Sequence, residues 1–286
     1  MSPLLPPSSS ARVSLSHLRK WAKAGDPFAM LTCYDATTAR HLWQAGIQTI
    51  LVGDTAAQFM LGYRNTQGVK IPFMLEITAA VRRGAPDAFI MADMPFGSYH
   101  CGDDLAMANA VSFMQDAGAD CVKFELVRDH APLVKRLSDA GVPVVAHIGS
   151  RPQSKLVSGR SRTLYSRSDI QTVVDDAVAL ATAGAIMILL EAVPAEVSEA
   201  VVEAMQKIKH DGHPVLVIGC GAGPACHGHV VVLHDILGLT DWHAPFAPVL
   251  GQVGDAIGQA VTRYKDLIES GSYLKNDHPY ELEPEH

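Results

Sequence analysis

Apolar residues along this chain fall in short runs of about five, and six of those runs end in a group that can bind a cation or move a proton. Residues 29–34 lead into Asp35, 49–53 into Asp54 and 89–92 into Asp93. Residues 121–124, which include Lys123, lead into Glu125; 142–146 lead into His147, and 186–190 into Glu191. Runs of this length, rich in β-branched residues, predict buried parallel strands. Stretches of helical period alternate with them: 37–45, 76–83, 104–117, 131–140, 168–183 and 195–210, each stopped by a glycine (46, 84, 118, 141, 184, 212). Glycine there takes the left-handed conformation that ends a helix. Two more strands are predicted at 215–218 and 230–233.

Eight strand–helix units in series favour a closed (β/α)₈ TIM barrel over an open doubly wound sheet. In such a barrel the C-terminal strand ends build the active site. The six ionisable groups would then converge on one polar, acidic mouth. A helix over 14–24, stopped by Gly25, is placed to cap the bottom of the barrel. The expected organisation is a disordered tail at 1–12, one barrel domain over 13–272 and a polar tail at 273–286.

Composition narrows this. The 286 residues suit one barrel of about 250 residues with short tails. With 48% hydrophobic residues the chain can build a large core. A net charge of −7 and a single basic cluster (Arg160, Arg162, Arg167) argue against a nucleic-acid partner. No apolar run approaches the ~18 residues of a membrane span, so no membrane partner is expected. Five cysteines without a CxxC spacing point to free thiols and a cytoplasmic protein.

Asp54 and Asp93 end adjacent predicted strands. Two carboxylates brought together repel, and a hard divalent cation such as Mg²⁺ removes that cost while taking substrate oxygens into its shell. Glu125, on the next strand, is a third ligand or holds a cation-bound water. The bland alternative for any one of these is a helix N-cap. Lys123, two residues before Glu125, points to the same side. It can hold a substrate oxygen, act as a Schiff-base lysine or simply neutralise the carboxylates. Glu191 closes an apolar strand, and burial suits a carboxylate to take a proton from carbon. His147 is a secondary site residue. Thr55 offers a hydroxyl and a backbone N–H to an anion. The glycine-rich stretch 218–223 suits either phosphate binding or close backbone packing. The residues alone thus imply a metal-assisted barrel enzyme that forms an enolate of a small 2-oxo acid.

These same residues resemble the ketopantoate hydroxymethyltransferase family. The resemblance is carried by Met30-Leu-Thr-Cys-Tyr-Asp35, Leu51-Val-Gly-Asp-Thr55, Ala92-Asp-Met-Pro-Phe-Gly-Ser-Tyr99, Val122-Lys-Phe-Glu125, His147-Ile-Gly149 with Pro152-Gln-Ser154, and Leu190-Glu-Ala-Val-Pro194. It implies a barrel of the phosphoenolpyruvate/pyruvate type that assembles as a homodecamer. It implies Mg²⁺ held through Asp54 and Asp93 with Glu125 nearby, 2-oxoisovalerate contacted by Thr55, Asp93, Lys123 and His147, and Glu191 as the base at C3. It also implies 5,10-methylenetetrahydrofolate as co-substrate and ketopantoate, a precursor of pantothenate, as product. The chain departs from the family pattern in loops over the mouth: 66–70, 158–167, Leu126-Val127 after the Lys-x-Glu motif, and Pro224. Those departures leave two other readings: a folate-independent aldolase or lyase on a different 2-oxo acid, with Arg160 and Arg162 binding an extra carboxylate, or a barrel without catalysis.

Overall fold

The computed structural model describes residues 12–154, 167–275 and 280. The tail at 1–11, Arg160, Arg162 and most of the 158–167 loop lie outside them. The chain divides into two compact units at the junction of Val232 and Leu233.

The first unit is a closed barrel of eight parallel strands: β1 (Phe28–Thr32), β2 (Thr49–Val52), β3 (Phe89–Asp93), β4 (Cys121–Glu125), β5 (Val144–Gly149), β6 (Met187–Glu191), β7 (Leu216–Cys220) and β8 (Gly228–Val231). Each strand pairs with its sequence neighbour, and β1 pairs with β8 to close the ring. Among the described residues the same unit holds helices α1 (Leu15–Ala24), α2 (Ala36–Gln44), α3 (Ala56–Phe59), α4 (Ile71–Gly84), α5 (Asp103–Gln115), α6 (Ala131–Asp139), α7 (Arg167–Thr182) and α8 (Ala195–Gln206).

Strand side chains alternate in direction. The inward set, including Met30, Leu51, Phe89, Met91, Cys121, Val145, Met187, Leu189, Leu216 and Ile218, forms one buried cluster. Leu18 of α1 joins this cluster, and Leu15 and Trp21 pack against it, so α1 caps the N-terminal end of the barrel as expected. Burying one such side chain contributes ~1.5–3 kcal/mol. The same inward columns end in Asp93, His147 and Glu191, two residues beyond Met91, Val145 and Leu189, and in Glu125, four beyond Cys121. An apolar floor therefore supports a polar mouth.

The structure differs from the sequence expectation in several places. The last strand spans Gly228–Val231 rather than 230–233, and β7 ends at Cys220 rather than 218. Residues 221–227 join β7 to β8 as a loop without a helix. The helix expected over 195–210 stops at Gln206, because Asp211 and Gly212 both take positive φ (50° and 79°) and turn a short antiparallel ladder, Lys209–His210 with His213–Pro214. Helix α4 begins at Ile71, ahead of the expected 76, with Pro72 in its first turn, where proline's missing N–H costs nothing.

The second unit holds α9 (Leu233–Ile236) and α10 (Val253–Glu269). Helix α10 was not expected from the sequence, although Ile257, Val261, Tyr264 and Ile268 recur at i, i+4, i+7 and i+11. It buries no residue of its own, and this stripe lies exposed.

Candidate active site

Strand register builds the site. Asp93 lies beside Lys123 on neighbouring strands, Glu125 beside His147, and Gly149 beside Glu191. Lys123 Nζ reaches Asp93 Oδ1 at 2.9 Å, with both side chains buried. Asp93 Oδ2 accepts the backbone N–H of Asp54 at 2.9 Å. Gly53 leaves room for the Thr55 hydroxyl: a Cβ there would stand 2.9 Å from Thr55 Oγ1 and in ordinary contact, 3.6 Å, with Asp93 Oδ2. Asp54, Asp93, Lys123, Glu125 and His147 are all buried polar groups, and all five share the barrel mouth.

Burial, with Asp93 alongside, pushes the Asp54 carboxyl up to about 7, against the pull of Lys123 and of a hydrogen bond from Gln153. Burial likewise pushes Glu125 up to about 8, partly opposed by Lys123. For Lys123 burial disfavours the charge, but Asp93, Asp54 and Glu125 together outweigh it and hold the ammonium above its ordinary value. That direction is the reverse of what a Schiff-base lysine requires, so Lys123 neutralises the carboxylates and offers N–H donors. Burial, then the Lys123 charge, pushes His147 down, leaving a neutral imidazole.

The Lys123 ammonium can only donate, and it lies 3.3 Å from His147 Nδ1. That contact makes Nδ1 the acceptor and puts the ring proton on Nε2. Nε2 is buried, stands 3.3 Å from Glu191 Oε2 and lacks the alignment of a hydrogen bond to it. A buried N–H left in this state is available to a substrate oxygen. The Glu191 side chain is 25% exposed, so the burial expected for it is only partial. Its neighbours are constrained. Gly149 takes φ 91° with the Glu191 carbonyl where a Cβ would come to 2.7 Å, and Ala192 takes φ 51°. A positive φ at a non-glycine residue beside a candidate base is a local strain held by the surrounding fold.

Not every expected residue lies in the cluster. Asp35 caps α2: its Oδ1 accepts Thr38 N at 2.8 Å and its Oδ2 accepts the Thr38 hydroxyl at 2.6 Å. The Thr55 hydroxyl, next to Asp54 in the chain, pairs with Tyr34 Oη at 2.7 Å. The glycine-rich 218–223 stretch serves close packing: a Cβ on Gly223 would strike Ala195 at 2.8 Å, and one on Gly219 would reach Cys226 Sγ at 3.0 Å.

Sequence reasoning gave no role to Gln153 or Tyr99. Gln153 Nε2 donates to Asp54 Oδ2 (2.8 Å) and to the Met94 carbonyl (3.0 Å), and its backbone N–H donates to both Glu125 oxygens (3.1 and 3.0 Å). Tyr99 Oη donates to Gln153 Oε1 at 2.7 Å. Glutamine and tyrosine carry no charge pattern that would single them out. Only their place in two family-like motifs pointed toward them.

Among the described residues no three of His, Cys, Asp and Glu converge as a ready cation cage. No hydrogen bond from a described residue engages Asp54 Oδ1. This donor set suits a hard cation that takes one or two carboxylates and completes its shell with substrate and water oxygens.

Among solved structures the chain resembles 2,3-dimethylmalate lyase, a member of the PEP mutase/isocitrate lyase superfamily, with TM-score 0.57 and 17% identity over 96% of this chain and 92% of that one. That likeness shows the fold. The 3-methyl-2-oxobutanoate hydroxymethyltransferase of Koribacter versatilis is 42% identical over 279 residues, 96% of this chain and 91% of the relative. The enzyme of the same name from Pyrobaculum islandicum is 39% identical over 259 residues, 90% of this chain and 96% of the relative. The ketopantoate hydroxymethyltransferase family profile matches residues 12–276. With that match spanning the barrel and the acidic mouth together, the chain belongs to the ketopantoate hydroxymethyltransferase family and is a hydroxymethyltransferase.

Proposed function

We propose that the barrel mouth forms the enolate of 2-oxoisovalerate with the help of Mg²⁺ and transfers to it a hydroxymethyl group derived from 5,10-methylenetetrahydrofolate, giving ketopantoate. The observation that carries this reading is the meeting of Asp54, Asp93 and Lys123 at one point of the mouth that also holds the His147–Glu191 pair. Asp54 and Asp93 would hold the cation, with Glu125 beside them. When bound, a divalent cation polarises the keto oxygen and stabilises the negative charge that develops there.

The chain's own residues do the rest. Lys123 donates an N–H to an oxygen of the 2-oxo acid, and His147 Nε2 donates a second. Glu191 takes the C3 proton, and the electron pair of that C–H bond moves toward the keto group. Its partial exposure lets it return the proton to solvent. C3 then bonds to the methylene carbon of the folate, both carbon–nitrogen bonds to that carbon break, water supplies the hydroxyl, and the two folate nitrogens take up, through solvent, the proton lost from C3 and the other proton of that water. A positioned base typically contributes about 10²–10⁴-fold, and that is the share expected of Glu191.

The test is 2-oxoisovalerate with Mg²⁺ in D₂O, followed by addition of the folate. Exchange at C3, then ketopantoate by mass spectrometry, is expected. Exchange without ketopantoate would move the assignment to an aldolase or lyase. The arginines that would favour that alternative, Arg160 and Arg162, lie outside the described residues. The same proposal has the chain working as a cytoplasmic homodecamer. Supporting it are the exposed stripe Ile257, Val261, Tyr264 and Ile268 on α10 and the free thiols of Cys33, Cys101, Cys121 and Cys226. Light scattering that finds a monomer at micromolar concentration would remove the oligomer.

A further inference from the structure

Gln153 hydrogen-bonds two of the acidic groups at once and is itself buried, at 3% exposure. It sits in the 3₁₀ turn Pro152–Ser154 that follows β5, and its partners come from the ends of β2, β3 and β4 and from the β3–α5 loop. Its amide cannot be turned over. Nε2 faces two acceptors, Asp54 Oδ2 and the Met94 carbonyl, and a flipped amide would set an oxygen against both. The Tyr99 hydroxyl, 2.7 Å from Oε1, supplies the donor that this orientation needs. Tyr99 Oη in turn accepts the Glu125 backbone N–H at 3.3 Å. The bonds run in one direction: Glu125 N–H to Tyr99 Oη, Tyr99 O–H to Gln153 Oε1, Gln153 Nε2–H to Asp54 Oδ2. The Gln153 backbone N–H closes the circuit on the Glu125 carboxylate.

We infer that Gln153 is a positioning residue for the cation site: its carboxamide fixes one oxygen of Asp54 and so aims the other, Oδ1, into the mouth, while its backbone N–H holds Glu125 beside the site. The inference rests on the reading of Asp54 and Asp93 as cation ligands. A neutral amide suits the task, because it orders a carboxylate without neutralising it as a lysine would. Removing a partner that orients a metal ligand typically costs about 10–100-fold in metal affinity. Gln67 Nε2 donates to the Gln153 carbonyl at 2.8 Å, a bond that touches neither carboxylate, and it provides the internal control.

The test uses Mn²⁺ as the probe, with free Mn²⁺ counted by electron paramagnetic resonance, on the full chain without substrate. Gln153→Glu keeps the shape but sets an oxygen against Asp54 Oδ2 and the Met94 carbonyl. It is expected to weaken Mn²⁺ binding about 10–100-fold at pH 8. Tyr99→Phe, which removes the donor to Oε1 together with the acceptor of the Glu125 N–H, is expected to weaken it a few-fold, and Gln67→Ala to leave it within about twofold. Circular dichroism confirms that each variant is folded. If Gln153→Glu does not fold, Gln153→Ala and Tyr99→Phe take its place. Loss of Mn²⁺ binding in Asp54→Asn with wild-type affinity in every folded Gln153 and Tyr99 variant overturns this inference alone. Wild-type affinity in Asp54→Asn overturns the cation reading, and this inference with it. Equal losses in Gln67→Ala and the Gln153 variants would mean that Gln153 only braces the loop, which also overturns it.

Discussion

Asp35 and Asp54 follow adjacent strands, each just after an apolar run, and they do opposite work. Asp35 turns back on its own chain and caps α2 through both oxygens, on the N–H and the hydroxyl of Thr38. Asp54 also precedes a helical turn, and its carbonyl accepts Ala57 N at 2.9 Å. Its carboxylate nevertheless reaches across the barrel mouth to Gln153, 99 positions away. Local sequence offers a helix cap at both places. Distant partners, Asp93 and Gln153, claim one of them. An acidic strand end is thus a cap or a site residue according to whether the fold supplies a non-local partner.

The sharpest way to break this comparison is to remove a mouth carboxylate with a chemical role. Glu191→Gln is expected to lower C3 exchange of the 2-oxo acid by about 10²–10⁴-fold while substrate binding, measured by calorimetry, persists. Exchange at the wild-type rate would place the base elsewhere, with His147 the next candidate.

The two carboxylates that meet come next. Asp54→Asn and Asp93→Asn are each expected to cost about 3 kcal/mol in the catalysed step, ~100-fold, with Mg²⁺ binding lost in a calorimetric titration. Unchanged titrations would reduce these residues to the structural role that Asp35 plays.

A pH series sharpens the contrast. Asp54 sits at about 7 and Glu125 at about 8, both raised by burial. A cation needs the ionised carboxylates, so apparent Mg²⁺ affinity is expected to rise with pH, up to about tenfold per unit for each carboxyl that must lose its proton, with protons released on binding. In the cation-free protein the sign reverses. The folded state holds protons that the unfolded chain has already lost, so the stability these two groups contribute is present below the ordinary carboxyl range. It is lost as pH rises through 7 and 8. Calorimetry in buffers of different ionisation enthalpy measures the proton release, and a pH-independent affinity would contradict the burial argument.

The smallest effect belongs to the cap. Asp35→Ala is expected to cost about 1 kcal/mol of stability in urea denaturation and to leave turnover unchanged. A large loss of turnover with intact folding would bring Asp35 into the site after all.

Much of the barrel was legible because its signal is local. Apolar runs of strand length and glycines after helices mark the elements, and seven of the eight strands could be placed to within two residues. Helix α10 escapes that signal, although its apolar stripe is present, because it follows the last strand and so stands outside the strand–helix alternation. The hairpin after α8 was missed for a different reason: a helical period continued through it, and Asp211-Gly212 overrode that period with two positive φ values. Within the site, Asp54, Asp93, Lys123, Glu125, His147 and Glu191 could be named because ionisable groups stand out against apolar runs.

By itself the sequence determined the order of elements, the inward period of two on each strand and the chemical groups at the strand ends. These follow from the period of the backbone and the cost of leaving apolar surface in water. Which groups meet was decided by the tertiary structure. Strand register sets Asp93 against Lys123, and one buried residue, Gln153, holds Asp54 through its side-chain amide and Glu125 through its backbone N–H. Such contacts join residues up to about a hundred positions apart, and their strength depends on the burial that only the closed barrel provides.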